Sequence, residues 1–213
     1  MRLIRRATTL LMASTSVQAS TAPPAYDVIV YGASGFTGRL AVEYLTDRYA
    51  NKGLKWAIAG RSRERLEALK AAVPIIVADA TDAASVDAMV SQTKVLLNYA
   101  GSPYITKALP VVEACARHGT HYVDVTGEVA LHRASLSKYD AKAKETGALI
   151  VHSCGYDSIP SDLGYLLASD AYQARYDAQP KRARLLTRGF EGGGISGGTI
   201  YTGLALLGYA DEL

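Results

Sequence analysis

Three glycines spaced three apart, Gly32, Gly35 and Gly38, follow directly on the apolar run Tyr26-Asp27-Val28-Ile29-Val30-Tyr31. Glycine enters backbone conformations closed to other residues and lets other groups come close to the main chain. Between a strand and a helix, Gly32 can make a tight turn, Gly35 can admit a pyrophosphate against bare backbone, and Gly38 can bring the helix down onto the strand. The helix then offers its free N–H groups and the positive end of its dipole to the anion. The spacing is G-x-x-G-x-x-G rather than G-x-G-x-x-G. The whole turn, Gly32-Ala33-Ser34-Gly35-Phe36-Thr37-Gly38, is therefore a candidate dinucleotide cradle.

The next apolar run ends in Ala59-Gly60-Arg61-Ser62. Dinucleotide folds read the adenosine ribose at this position, and an NAD fold places Asp or Glu there for the 2′-hydroxyl. No carboxylate stands here to repel a 2′-phosphate. Arg61 can clamp such a phosphate with two parallel bonds, and Ser62 can donate a further one. This predicts NADP(H), with Arg63 and Arg65 on a solvated face. Because ligands of such folds lie along the carboxyl ends of the strands, Asp79 is expected beside the adenine. Asn98-Tyr99-Ala100-Gly101 is expected to pass the central ribose and nicotinamide. Both stretches also read as turn chemistry.

Acid–base groups concentrate in Asp124-Val125-Thr126-Gly127-Glu128 and in the run from His152 to Asp162. Tyr156 or Asp157 is the candidate to shuttle a proton beside a hydride acceptor. Glu128 and Ser161 read equally as helix-start residues, Glu128 complementing a dipole and Ser161 as an N-cap. Cys154 reads as a small buried hydrophobe rather than a nucleophile. His118, His121 and His132 lack metal-ligand spacing with other donors, so no metal is predicted. A tyrosine followed four residues later by lysine, the pair a short-chain dehydrogenase would need, is absent: Tyr139 precedes Lys142 and Lys144, and Tyr44 precedes Arg48.

These residues need a scaffold, and the chain supplies strict alternation. Helical periodicity at Ala41, Val42, Tyr44, Leu45 and Tyr49 stops near Asn51-Lys52-Gly53. Then come strand Lys55–Ala59, helix Arg63–Ala72, strand Pro74–Ala78, and helix Asp82–Ser91 with Asp82 as N-cap. Strand Val95–Asn98, a helix from Thr106 to His118, strand Tyr122–Val125, helix Val129–Glu145 and strand Ala148–His152 follow. Six strands alternating with helices predict an α/β fold, a doubly wound parallel sheet of the NADP-binding Rossmann type. That domain is expected over 26–160. The composition changes after Pro160. A helix Ser161–Tyr172, a polar linker Gln173–Lys181, a strand Ala183–Arg188 and the glycine-rich loop Gly189–Gly198 read as the start of an incomplete second α/β domain over 161–213.

The net charge of +3 rests on Arg2, Arg5 and Arg6; the other 20 basic residues match 20 acidic ones. A neutral body carries no footprint for nucleic acid and no polybasic membrane patch. Residues 1–25 form an acid-free, Arg/Ser/Thr-rich leader. It reads as a mitochondrial transit peptide, as a secretory signal with Val17-Gln18-Ala19 at the cleavage site, or as an untranslated stretch before a start at Met12. Pro23-Pro24 links it to the first strand. Cys115 and Cys154 form no disulfide framework and suit a reducing compartment. Ile200–Ala210 is the nearest approach to a membrane span and is too short.

Five motifs together, Gly32–Gly38, Trp56-Ala57-Ile58-Ala59-Gly60-Arg61-Ser62, Val111-Val112-Glu113-Ala114-Cys115, His121–Glu128 and Gly155–Gly164, resemble the saccharopine dehydrogenase-like oxidoreductase family, including its trans-acting enoyl reductases. The resemblance covers roughly Tyr26 to Gly164. It implies an NADP-type Rossmann domain and a second α/β domain for substrate and dimer contacts. In the enoyl-reductase branch it implies reduction of a carbon–carbon double bond in lipid, including glycolipid, biosynthesis. A small-molecule or lipid substrate and a homodimer are thus expected, at mitochondria or lipid droplets or else in the cytoplasm. A non-catalytic NADP(H)-binding or scaffold protein at a lipid surface is the alternative. Family members usually read Gly-Pro-Tyr after the fourth strand, where this chain has Gly101-Ser102-Pro103-Tyr104.

Overall fold

A computed structural model of the chain describes residues 23–101, 103–187, 189 and 197–208. Residues 1–22 of the leader, Ser102 and most of the glycine-rich loop lie outside the described residues. Strands β1 (Tyr26–Tyr31), β2 (Trp56–Gly60), β3 (Ile75–Val77), β4 (Thr93–Asn98), β5 (His121–Asp124) and β6 (Ile150–Val151) form one parallel sheet in the order β3-β2-β1-β4-β5-β6. The predicted doubly wound sheet is thus observed, and the chain reverses direction across the sheet between β1 and β4.

Period-two alternation places the two sides of β1 in different cores. Ile29 and Tyr31 pack with Val86, Met89, Val90, Val111, Val112 and Cys115 from helices α3 (Ala83–Val90) and α5 (Leu109–His118). Val30 faces the other way onto Val42, Leu45 and Leu66 from α1 (Phe36–Tyr49) and α2 (Arg63–Glu67). Register then aligns the strand ends: Tyr31 pairs with Ala59 on one side and Asn98 on the other, and Asn98 pairs with Asp124. The residues after β1, β2, β4 and β5 consequently share one edge.

Asp82 caps α3 as expected, its side chain accepting the Ala84 N–H. Other boundaries differ for physical reasons. Helix α2 ends at Glu67, not Ala72, because Lys70 turns into the left-handed region (φ 52°) and delivers Ile75 into register with Ile58. The single helix expected from Thr106 to His118 is two, α4 (Tyr104–Lys107) and α5, since Pro110 in the first turn of α5 has no N–H to continue a helix. Helix α6 (Val129–Thr146) follows β5 as predicted and ends at Gly147 in the left-handed region (φ 80°).

Helix α7 (Ile159–Tyr176) begins earlier and ends later than expected, so the expected boundary at 160 falls in its first turn and the linker begins inside it. Ser158 is its N-cap position. Ser161 does not cap it but donates its hydroxyl back to the Ser158 carbonyl at 2.8 Å. Residues 183–187 pair with no strand, which corrects the strand expected there. Helix α8 (Gly197–Gly208) closes the described chain. On α7 only Ser169 is buried, while Leu163, Tyr165, Leu166 and Leu167 are half or more exposed. No helix among the described residues is long and apolar enough to cross a membrane.

Candidate functional site

The glycine turn is built by the end of β1. Gly32 sits at φ 81° and, with Ala33, donates its N–H to the Ala59 carbonyl at 2.9 and 3.2 Å. The Gly35 N–H closes the turn onto the Gly32 carbonyl at 2.9 Å. A Cβ on Gly32 would stand 2.5 Å from the Ala100 nitrogen, and one on Gly38 would stand 2.2 Å from the Gly32 oxygen. Those two glycines are demanded by the chain itself. A Cβ on Gly35 would meet only the Gly32 oxygen, at 3.2 Å, among the described residues. Its bare backbone therefore faces outward, where a ligand can use it.

Helix α1 opens immediately behind with no side-chain cap and no acidic residue in its first turn. Its first N–H groups have no intrahelical acceptor and suit an anion. Phe36 and Thr37 are exposed there, and Arg39 steadies the turn by donating Nε to the Ser34 carbonyl at 3.2 Å. Ala33 has its side chain fully buried in the core and its N–H bonded to Ala59, so it shapes the turn.

Arg61 leaves the end of β2 beside this turn, exposed, and forms no hydrogen bond or ion pair among the described residues. No acid occupies the end of β2. Ser62, expected to donate to a phosphate, accepts the Arg65 N–H at 3.3 Å and caps α2. Asp79 is a turn residue: its Oδ1 accepts the Thr81 N–H at 3.0 Å and hydroxyl at 2.9 Å, and these bonds hold its carboxyl below the usual range, with the Arg61 charge adding to the effect. Tyr31 is pushed up to about 12 by burial and then by the Asp79 charge.

The loop after β4 follows Asn98, which is 1 % exposed and whose side chain bonds along the sheet edge. Its Nδ2 donates to the Tyr122 hydroxyl at 2.9 Å, and its Oδ1 accepts the Ala100 N–H at 2.8 Å. Asn98 thus holds Ala100 against Gly32. Gly101 continues at φ 140°, a conformation few other residues adopt, packed near Tyr104 and Lys107. The fully buried Glu128 lies at the N-cap of α6 yet serves another helix. Its two oxygens accept the Tyr104 and Ile105 N–H groups at 2.7 and 2.8 Å, capping α4.

Asp124 is the hub of the edge. Its Oδ2 accepts the Tyr122 hydroxyl at 2.9 Å and meets His152 Nδ1 at 2.7 Å. Its Oδ1 accepts the Thr126 and Ser153 N–H groups, each at 3.1 Å, and its carbonyl accepts the Cys154 N–H at 2.7 Å. Ser153, at φ 60°, donates its hydroxyl to the Thr126 carbonyl at 2.6 Å and lies 2.9 Å from His132 Nε2. His132 stacks on His152 at 5.0 Å, and burial, then the His152 charge, lower its affinity for a proton. Burial likewise raises the Cys154 thiol.

Tyr156 and Asp157 are exposed in the turn from β6 to α7. No cluster of three or more potential metal ligands occurs among the described residues. Sequence reasoning missed Tyr122 and His132. The signal for Tyr122 was present, since it stands two residues before Asp124 on the same face of β5.

The saccharopine dehydrogenase NADP binding domain model matches residues 28–151, from β1 through β6. The chain belongs to that family. The cofactor of this saccharopine dehydrogenase-type domain is NADP(H), and the open α1 terminus beside an unpaired Arg61 fits it. A Mycobacterium tuberculosis protein provisionally named a trans-acting enoyl reductase is 39% identical over 197 residues, covering 89% of this chain and 46% of that protein. A Mycobacterium ulcerans trans-acting enoyl reductase is 37% identical over 190 residues, covering 86% and 45%. The chain thus spans about half the length of these curated relatives. Among solved structures, apo saccharopine dehydrogenase (L-Glu forming) from Saccharomyces cerevisiae shares the fold, with a TM-score of 0.58 and 22% identity over 70% of this chain and 32% of that one.

Proposed function

We propose that this domain serves an NADP(H)-dependent oxidoreductase that reduces an enoyl or carbonyl group of a small, lipid-type substrate. The observation that carries the reading is the pairing of an uncapped α1 N-terminus, faced by bare Gly35, with the unpaired Arg61 at the adjacent strand end. The pyrophosphate rests on the N–H groups of the α1 first turn, and the Arg61 guanidinium holds the 2′-phosphate. When bound, NADPH supplies the hydride. Tyr156 or Asp157 exchanges the accompanying proton; both are exposed in the turn that Asp124 ties to the sheet edge through the Cys154 N–H, which supports that role. The names of the mycobacterial relatives support the enoyl reading of the substrate.

Titration of the chain with NADPH and NADH, followed by nucleotide fluorescence, tests the cofactor part. Saturable NADPH binding well below millimolar with weaker NADH binding is expected; no binding of either would overturn it. Turnover of NADPH with short enoyl thioesters, lost in Tyr156→Phe or Asp157→Asn, is the expected result for the chemical part.

A further inference from the structure

Four side chains on three neighbouring strand ends form a single unbroken line. His152 Nδ1 lies 2.7 Å from Asp124 Oδ2, which accepts the Tyr122 hydroxyl at 2.9 Å. That hydroxyl accepts Asn98 Nδ2 at 2.9 Å, and Asn98 Oδ1 accepts the Ala100 N–H at 2.8 Å. The Ala100 nitrogen is the atom that leaves no room for a side chain on Gly32. At the far end, the other atoms of Asp124 grip the Ser153 and Cys154 N–H groups. The line therefore runs from the turn carrying Tyr156 and Asp157 to the turn carrying Gly32.

Its interior members are shut away from solvent, and Asp124 is fixed on its other oxygen by the Thr126 and Ser153 N–H groups. Asn98, Tyr122 and Asp124 are each 2 % exposed or less, and the His152 side chain is 10 % exposed. A carboxylate can only accept, so the 2.7 Å contact requires His152 Nδ1 to carry a proton. His152 Nε2 is buried and has no partner among the described residues. The His152 ring is consequently held by the Asp124 bond, by the stacked His132 and by the edge of Tyr122. In such a buried, directionally ordered chain each bond polarises the next, and a member left unsatisfied carries a desolvation cost that its neighbours can relieve only by shifting.

We propose that His152 is a positioning residue for the nucleotide cradle, acting through Asp124, Tyr122 and Asn98 to hold the Ala100 amide against the Gly32 turn. The titratable groups in contact with it are Asp124 and Tyr122 from β5 and His132 from α6. The nucleotide consequence rests on the cofactor reading above; the loop consequence does not.

The decisive measurement is amide hydrogen exchange in the nucleotide-free chain, comparing wild type with His152→Ala, His152→Asn and Tyr122→Phe. His152→Asn keeps an N–H donor close to where Nδ1 stands. His152→Ala and Tyr122→Phe should each speed exchange at Ala100 by about fivefold or more, the worth of one buried hydrogen bond, while Val30 and Ile58 in the central strands stay near wild type. His152→Asn should restore slow exchange at Ala100. In a parallel titration NADPH should bind about fivefold more weakly to the first two variants and near normally to His152→Asn. Unchanged Ala100 exchange in His152→Ala, equal acceleration at Val30 and Ile58, or no recovery in His152→Asn would each overturn the proposal. If wild type binds no NADPH, the cofactor reading fails while the exchange data still decide the relay.

Discussion

The backbone nitrogen of Ala100 stands 2.5 Å from the point where a Cβ on Gly32 would lie, so the loop after β4 and the turn after β1 fit only with glycine between them. Gly38 is under the same constraint from the Gly32 oxygen at 2.2 Å, whereas Gly35 is not. The three glycines should therefore behave differently. Gly32→Ala, with its positive φ, and Gly38→Ala should each cost about 3 kcal/mol in urea unfolding. Gly35→Ala, at φ −75°, should change stability by less than about 1 kcal/mol yet weaken NADPH about tenfold. Equal stability losses at all three positions would refute the assignment of Gly35 to the ligand.

Arg61→Ala removes an exposed guanidinium that has no partner among the described residues. Stability should stay within about 0.5 kcal/mol. NADPH affinity should fall at least about tenfold, the worth of a charge-assisted pair, while NADH affinity should not move. Parallel titrations with both nucleotides check this, and an equal loss for NADH would remove Arg61 from the 2′-phosphate site.

Glu128→Gln keeps the shape of a fully buried side chain but turns one of its two acceptors into a donor facing an N–H. Leaving one helix-end amide of α4 unsatisfied should cost about 1–3 kcal/mol, measured as a lower urea midpoint. Glu128→Ala should cost at least as much. A neutral result for both would mean that α4 does not depend on its cap.

Alkaline pH should destabilise the chain. Burial raises Tyr31 to about 12, raises Tyr104 and Tyr122 further, and raises the Cys115 thiol. Above the ordinary values of 9.0 for cysteine and 10.0 for tyrosine, the unfolded chain loses these protons and the folded chain keeps them. The folded state then binds more protons, so stability falls as pH rises. The contribution is complete below pH 9 and is lost progressively through pH 10 toward 12. Urea midpoints between pH 8 and 11 should decline, and Tyr31→Phe should flatten part of that decline. A flat wild-type curve would contradict the buried, protonated state of these phenols.

Most of the scaffold was legible in the residues because the signals that specify it are local. The six strands and their parallel alternation follow from short apolar runs separated by helical periods, and the glycine turn follows from spacing alone. Local reading erred where one residue broke a pattern from within. Pro110 split an expected helix, Lys70 stopped another, and residues 183–187 carried strand-like composition but pair with no strand among the described residues.

By itself the sequence determined the doubly wound α/β order and the glycine turn with Arg61 at the neighbouring strand end, since each depends on residues within one βα turn. Only the tertiary structure decided what the other polar residues do. Asn98 and Asp79, expected beside the nucleotide, also anchor a loop and a turn through their side chains. Glu128 caps a helix 24 residues earlier in the chain, and His152 reaches Asp124 across 28. The physical reason is the same in each case: a side chain with several hydrogen-bonding options takes the partner that burial brings to it, and sheet register, not sequence spacing, sets which partner that is.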